Sequence, residues 1–351
     1  MTAVNASAEA CMPKPAADIF AMLDPGRGVA ISEYLAAEIL EEMYGLAGSL
    51  RLLTGERDQN FHLAQSGCDG FIFKVWGQSQ RSEEVELLTA VLAFLERNAP
   101  RLRVPRLLLG RDGRDLVTFK DHVGNERRGV VYSFLPGQPL SAVERTVSQH
   151  HQCGRMLAEL AIALRGFSHS AMHRALIWDL RHLPRLRMLV SQNSDLPFRE
   201  FVRPFLDAFE RNVAGRLAQV PQQFVHNDFN ARNIIVDDAS HVTGVIDFGD
   251  AVCTARVIDV AVGVIGQLST PETSDLAIGE FVEAYAAVSP LSSEERTLLP
   301  SLVAGRIVQN VVMTSWYRSR QPSDGHFAAF GPEYFEWRVD LAARLASGML
   351  S

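Results

Sequence analysis

The chain has 351 residues and a formal net charge of −7. That length suggests about two lobes or domains, and 47% hydrophobic with 21% charged residues fits a soluble globular protein. The acidic balance leaves no basic footprint for nucleic acid, and no apolar run is long enough to span a membrane.

Cys11, Cys68, Cys153 and Cys253 are far apart and form no C-x-x-C pair. Reduced thiols in a cytoplasmic protein are therefore expected.

Residues 1–25 carry no long apolar core and are expected to form a mobile tail. Residues 31–46 have helical periodicity. Two strands then follow, joined by a turn around Ser66 to Gly70. Side chains alternate along a strand, so in "FIFKVW" Phe71, Phe73 and Val75 share one face and Ile72, Lys74 and Trp76 the other. Val85, Leu88, Leu92 and Leu95 recur at helical spacing in residues 82–97. "LVTF" and "GVVYSFLPGQPL" read as further strands, the second ending at Pro136-Gly137. An α+β fold of two lobes is expected. Its first, mainly antiparallel lobe covers residues 26–136 and its second, mostly helical lobe covers 137–351.

In the second lobe, residues 150–167, 198–217, 256–268, 277–288 and 305–320 read as helices. One hairpin interrupts them. In "NIIVDDASHVTGVIDFGD" two apolar runs flank a turn of suitable composition. A turn centred near residue 239 places Asn233 opposite residue 245 or so, and Asp247 about one strand step away.

Chemistry concentrates at the ends of this hairpin. His226-x-Asp228-x4-Asn233 matches the H-x-D-x4-N pattern of a kinase catalytic loop, and Asp247-Phe248-Gly249 reads D-F-G. Phosphoryl transfer is mostly positioning and charge neutralisation. Magnesium is hard and takes oxygen ligands, which Asn233 and Asp247 supply. Asp228 is placed to accept or orient the attacking hydroxyl's proton, and His226 to brace the loop. The same chemistry asks for a lysine in the first lobe, and Lys74 sits mid-strand among apolar neighbours. Glu83, Glu84 and Glu86 on the next helix are each candidates for its acidic partner. Ser133, Phe134 and Leu135, between the lobes, can offer backbone groups to a purine base.

These motifs resemble the aminoglycoside phosphotransferase and choline kinase superfamily of small-molecule kinases, over about residues 31–340. "HNDFNARNI" and "VIDFGD" carry the superfamily likeness. "DQNFHL", "IWDLRHLP" and the second aspartate of "DFGD" point to its hydroxylysine kinase branch. The resemblance implies a protein-kinase-like fold with Asp228 as catalytic base and Mg2+ held by Asn233 and Asp247. It further implies that Lys74 with Glu86 grips ATP or GTP, with the turn at Asp58, Gln59 and Asn60 over the phosphates. The chain departs from protein kinases in having no G-x-G-x-x-G, only Gly55.

After D-F-G, "GDAVCTARVIDVAVGV" runs almost directly into an apolar helix, which leaves no long loop for a polypeptide substrate. A small acceptor with a hydroxyl and an amine is expected, 5-hydroxylysine first, with aminoglycoside, choline, ethanolamine and homoserine as alternatives. Asp250, Asp179 and Glu283 are candidates to bind its ammonium group. Trp178, Trp316 and Tyr317 are candidates to line its pocket. A nucleotide-binding regulator without turnover would lack one of Lys74, Asp228, Asn233 and Asp247. A metal hydrolase would need more clustered ligands.

Overall fold

The computed structural model describes residues 19–23, 30–53, 58–77, 81–320, 327 and 330–350. Helix α1 (Glu33–Ile39) starts at Ser32, whose hydroxyl accepts from the Leu35 N–H. It continues as a wider π-type turn, Leu40–Tyr44, which ends at Gly45 with φ 72°.

Strands β1 (Ser49–Leu53), β2 (Gln59–Ala64) and β3 (Phe71–Val75) form an antiparallel meander. Helix α2 (Ser82–Asn98) follows, then β4 (Leu107–Leu108), β5 (Val117–Lys120) and β6 (Glu126–Ser133). Strand β6 pairs with β3, β4 and β5, giving one six-stranded antiparallel sheet. Its faces separate as the alternation requires. Phe73 and Val75 join Phe61, Val117, Phe119 and Val131 in a small core under α1. Trp76 and Val130 face α2 and join the large core with Val85, Leu88 and Leu92.

Beyond Ser133 the chain leaves the sheet. Strand β7 (Gln138–Pro139) pairs with β9 (Ile234–Val236), which pairs in turn with β10 (Val242–Val245). Gly137, at φ 124°, lets the linker press against the Val236 carbonyl, where a Cβ would clash. Helix α3 (Val147–Ala163) opens with a reciprocal Thr146–Gln149 capping box. The longer helices that follow are α4 (Arg199–Phe209), α5 (Arg256–Gln267), α6 (Ser274–Val288), α7 (Ser293–Arg320) and α8 (Pro332–Leu345).

Among the features that sequence reasoning missed are β1, β4, the short helix Arg187–Gln192, helix α8, the first twelve residues of α7, which contain Pro300, and the ladder joining β8 (Gln222–Val225) to β11 (Val252–Ala255). The expected tail over residues 1–25 lies mostly outside the described residues. Within it, Ile19–Met22 forms a helical turn. Ile19 is buried and Phe20 lies 6.1 Å from the Trp316 ring. Cys68 and Cys153 are free thiols, whereas Cys253 is disulfide-bonded, which departs from the expectation of four reduced thiols. Among the described residues, no helix is long and apolar enough to cross a membrane.

Candidate active site

The hairpin delivers its polar ends to one place. Ile234 pairs with Val245, and the Ile246 N–H donates to the Asn233 carbonyl at 2.9 Å. Asp247 therefore follows directly beside Asn233. The turn closes through Asp237, whose carboxylate accepts from the His241 N–H at 2.8 Å.

Asp228 is held on several sides. Asn233 Nδ2 donates to its Oδ2 at 2.7 Å and to its carbonyl at 3.0 Å. Asn230 Nδ2 donates to Oδ1 at 2.8 Å, and Arg306 Nη2 lies 3.7 Å from the same oxygen. Burial, then the carboxylates of Asp250 and Asp247, push the Asp228 carboxyl well above the usual carboxylate range, against the pull of Arg306. A carboxylate so raised is better matched to taking a proton near neutrality.

His226 is fully buried and makes two backbone contacts. Its Nδ1 accepts from the Asp228 N–H at 3.2 Å, so its Nε2 carries the hydrogen donated to the Ile246 carbonyl at 3.0 Å. Burial lowers its pKa and keeps the ring neutral. The ring thus ties the catalytic loop to the D-F-G strand, with Phe248 packed against it at 4.8 Å. Asn227 and Asp247 both adopt left-handed backbone, each at φ 63°, a conformation that Asn and Asp tolerate better than most residues.

Three supporting residues were missed in the sequence. Asp259 on α5 accepts from the Asn227 N–H at 2.7 Å. Burial lifts its carboxyl to about 7 against the backbone N–H groups of Asn227 and His226. Its signal was a lone acid in the apolar run "VIDVAVGV". Arg174 donates to the carbonyls of Gly249 (2.5 Å) and Ala251 (2.9 Å) and so pins the loop after D-F-G. Arg306 on α7 is buried. It donates to the Trp178 carbonyl and to Gln309 Oε1, both at 2.8 Å, and its guanidinium lies over the Trp178 ring at 5.0 Å. Burial works against its charge, which Asp228, Asp250, Asp179 and Asp259 support. Nothing in the local pattern around residue 306 marks it, because its partners come from distant segments.

On the opposite lobe, Lys74 is buried. Its Nζ lies 2.9 Å from Asp58 and 3.9 Å from Asp247. Burial disfavours its charge, but Asp58 and then Asp247 outweigh that and hold the ammonium above its ordinary pKa. Leu88, Leu92, Tyr132 and Phe248 line a narrow cavity behind it.

Several expectations are corrected here. Glu86 does not pair with Lys74. Glu83 and Glu86 are exposed on α2, and Asp58 and Asp247 are the lysine's ion-pair partners. Val85, Leu88 and Leu92 take the inward stripe of the helix and turn Glu86 to solvent. Gln59 is tied to Ile31 through both ends of its amide, at 2.7 and 3.0 Å, and so is not aimed at phosphates. Asn60 sits opposite Lys74 in the ladder, with its Oδ1 buried and unpartnered. Gly55 lies outside the described residues.

Asp179 is fully buried. It accepts from Arg181 (2.8 Å from Nε, 3.0 Å from the backbone N–H) and from Thr254 (3.0 Å), which takes it up structurally and leaves no place for an ammonium. Glu283 is an exposed partner of Arg296. Trp316 and Tyr317 are core residues, Tyr317 stacked on Phe327 at 4.5 Å. Trp178 and Asp250 remain beside Arg306 and Asp228. In the linker, the Ser133 N–H is spent on the Arg106 carbonyl (2.8 Å) and the Phe134 N–H on that of Gly70 (3.0 Å), while Leu135 packs on Gly244 of the hairpin.

A cation would meet only oxygen donors here: the Asn233 amide oxygen, turned away from Asp228, and the Asp247 carboxylate. Among the described residues no group of three His, Cys, Asp or Glu could hold a metal. That set fits a hard ion such as Mg2+, whose remaining positions go to water and phosphate.

The chain is similar to several known kinases. The chain is 28% identical over 321 residues to mouse (Mus musculus) hydroxylysine kinase, covering 84% of this chain and 85% of that one. It is 28% identical over 258 residues to homoserine kinase of Phenylobacterium zucineum, covering 72% and 74%. A solved amicoumacin kinase in complex with AMP-PNP, Ca2+ and Ami shares the fold, with TM-score 0.66, 13% identity, and coverage of 93% and 95%. Residues 49–296 match a family model, and the chain belongs to the phosphotransferase enzyme family (APH).

Proposed function

We propose that the protein transfers the γ-phosphoryl group of ATP or GTP to the hydroxyl of a small amino alcohol, with 5-hydroxylysine as the first candidate. The observation that carries this reading is Asp228. Its carboxylate is fixed by Asn230 and Asn233, raised in pKa by its neighbours, and shares one cleft with Lys74 and Asp247. Support for the acceptor comes from the likeness to hydroxylysine kinase over most of both chains.

In this mechanism Asp228 orients the acceptor hydroxyl and takes its proton as the new phosphorus–oxygen bond forms and the bond from the γ-phosphorus to the bridging oxygen breaks, releasing ADP or GDP. Asn230 and Asn233 hold that carboxylate in one rotamer, so little reorganisation is needed during transfer. Lys74 binds nucleotide phosphates through its ammonium. Mg2+ held by Asn233 Oδ1 and Asp247 would neutralise charge on the transferring group. Arg306 keeps the acidic pocket from repelling a negatively charged transition state. Asp250, three residues from Asp247 and near Arg306, is the candidate carboxylate for an acceptor ammonium group. Homoserine is the second acceptor to test, because a homoserine kinase is also similar over most of its length.

The test is a phosphoryl-transfer assay with ATP and GTP in parallel against 5-hydroxylysine, homoserine, ethanolamine, choline and kanamycin. Phosphorylation of 5-hydroxylysine above the others is the expected result. Transfer to kanamycin or choline alone would replace the acceptor. Transfer to none of them would overturn the reading.

A further inference from the structure

The stretch that follows D-F-G is held by a single segment, residues 174–181, which contains the sequence IWDLR. Arg174 Nη2 donates to the carbonyls of Gly249 and Ala251, at 2.5 and 2.9 Å. Arg181 Nη2 donates to the Cys253 carbonyl at 2.5 Å, and Asp179 accepts from the Thr254 hydroxyl at 3.0 Å. The segment is fixed in turn by α7. Gln309 Nε2 donates to the Ile177 carbonyl at 2.7 Å and Arg306 Nη1 to that of Trp178 at 2.8 Å. The Trp178 ring thus lies under the guanidinium whose Nη2 is 3.7 Å from Asp228.

Asp250 occupies the third position of a tight turn, residues 248–251, closed by the Ala251 N–H on the Phe248 carbonyl at 3.1 Å. Arg174 holds the peptide plane before Asp250 through the Gly249 carbonyl, and the turn bond holds the plane after it. Peptide groups are rigid, so fixing both planes fixes the direction in which the Asp250 side chain leaves the backbone. The turn sits beside the first-lobe lysine. A Cβ on Gly249 would lie 3.8 Å from Lys74 Nζ and 2.9 Å from Asp247 Oδ1. Asp247 has anchors of its own: the Ile246 N–H on the Asn233 carbonyl just before it, and the Gly249 N–H on its Oδ1 at 3.1 Å. Losing Arg174 therefore loosens Asp250 before it loosens Asp247.

We propose that Arg174 is a positioning residue for the acceptor: by holding this turn it aims Asp250 at an ammonium group next to the hydroxyl that receives the phosphoryl group. This rests on the kinase reading above, with Asp250 as the acceptor's carboxylate partner. The charge of Asp250 acts on both Asp228 and Arg306, as a carboxylate facing the acceptor side requires. In 5-hydroxylysine the amine next to the hydroxyl is the ε-amino group.

The test compares 5-hydroxylysine with its analogue lacking the ε-amino group. The proteins are the wild type, Arg174→Met, Arg174→Lys, Asp250→Asn, and each Arg174 variant combined with Asp250→Asn. Turnover is measured at saturating Mg-ATP, and acceptor binding by calorimetry in Mg-AMP-PNP. The wild type should favour 5-hydroxylysine by about tenfold to hundredfold in KM, the value of one or two charge-assisted hydrogen bonds. Arg174→Met should erase most of that preference, while the KM of the analogue and of Mg-ATP stay within about threefold of the wild type. Arg174→Lys, which keeps a cationic donor, should fall between the two. In the Asp250→Asn background Arg174→Met should add no more than about twofold, because a residue that acts through another has nothing left to position.

Equal use of the two acceptors by the wild type would overturn the proposal and leave the kinase reading standing. So would an equal loss for both acceptors and Mg-ATP in Arg174→Met, the mark of a scaffold residue, or full additivity with Asp250→Asn. Should Arg174→Met not fold, Arg174→Lys carries the same cycle with Asp250→Asn. No binding of 5-hydroxylysine to the wild type would also overturn it. Binding that depends on the ε-amino group and on Arg174, without phosphoryl transfer, would uphold the positioning role and sink the kinase reading.

Discussion

On the first-lobe side of the cleft, Lys74 is shared between Asp58 at 2.9 Å and Asp247 at 3.9 Å, and the Asp247 side chain is 50% exposed. On the second-lobe side, Asp228 is met by two side-chain amides and a buried arginine. The loop that carries it is tied down by His226 and Asp259. The first arrangement can exchange one carboxylate for another, or for a phosphate, at little cost. The second is a connected network around Asp228, and removing one member leaves others unsatisfied. Nucleotide grip and acceptor activation should therefore respond to substitution in different ways.

The largest effect is expected at Arg306. Arg306→Met removes the cation surrounded by Asp228, Asp250, Asp179 and Asp259. It should lower stability by about 3–5 kcal/mol, the usual cost of breaking a buried charge network on one side. Denaturant midpoints read this directly. A midpoint within experimental error of the wild type would show that the second lobe is as tolerant as the first.

A smaller effect is expected from pH. Burial pushes His182 down to about 4. A histidine depressed in the folded state contributes stability above its unfolded pKa and loses it as pH falls towards the folded value. The contribution of His182 to stability should thus be lost between about pH 6.5 and pH 4, by roughly 3 kcal/mol at most, against the opposite trend from the raised carboxyls of Asp228 and Asp259. His182→Gln should remove that contribution, so that its stability falls less, or rises more, than that of the wild type as pH drops from about 6.5 to about 4. A slope identical to the wild type would show that His182 is not the group responsible.

The smallest effect is expected at Asp58. Asp58→Asn should raise the nucleotide KM by no more than about tenfold, roughly 1.4 kcal/mol, with kcat kept, because Asp247 remains beside Lys74. A collapse of kcat would mean that the first-lobe grip is as unforgiving as the catalytic loop.

The sequence made the catalytic hairpin legible because its signals are local. Two apolar runs, one turn and three polar residues at fixed spacing place Asn233 beside Asp247 with a register error of one residue. Helices α2, α3 and α5 announce themselves by apolar periodicity. The start of α7 was hidden by Pro300, which reads as a break although the helix carries it near its first turns. The β8–β11 ladder was hidden by its four-residue strands, which lie either side of the catalytic loop.

The partner of Lys74 was misassigned for a related reason. Helical phase could not separate Glu83, Glu84 and Glu86, and Asp58 reaches the lysine across the sheet. Arg306, Arg174 and Asp259 act through contacts with residues 32 to 128 positions away. No window of sequence shows that distance closed.

The most direct test of the account is Asp228→Ala, assayed for phosphoryl transfer and for Mg-nucleotide binding on the same protein. The account predicts a fall in kcat of about 10²–10⁴-fold, the usual worth of a positioned general base, with nucleotide Kd unchanged within about threefold, or 0.65 kcal/mol. Turnover retained near the wild-type rate would contradict the assignment of Asp228, and with it the reading of this loop as the site of phosphoryl transfer.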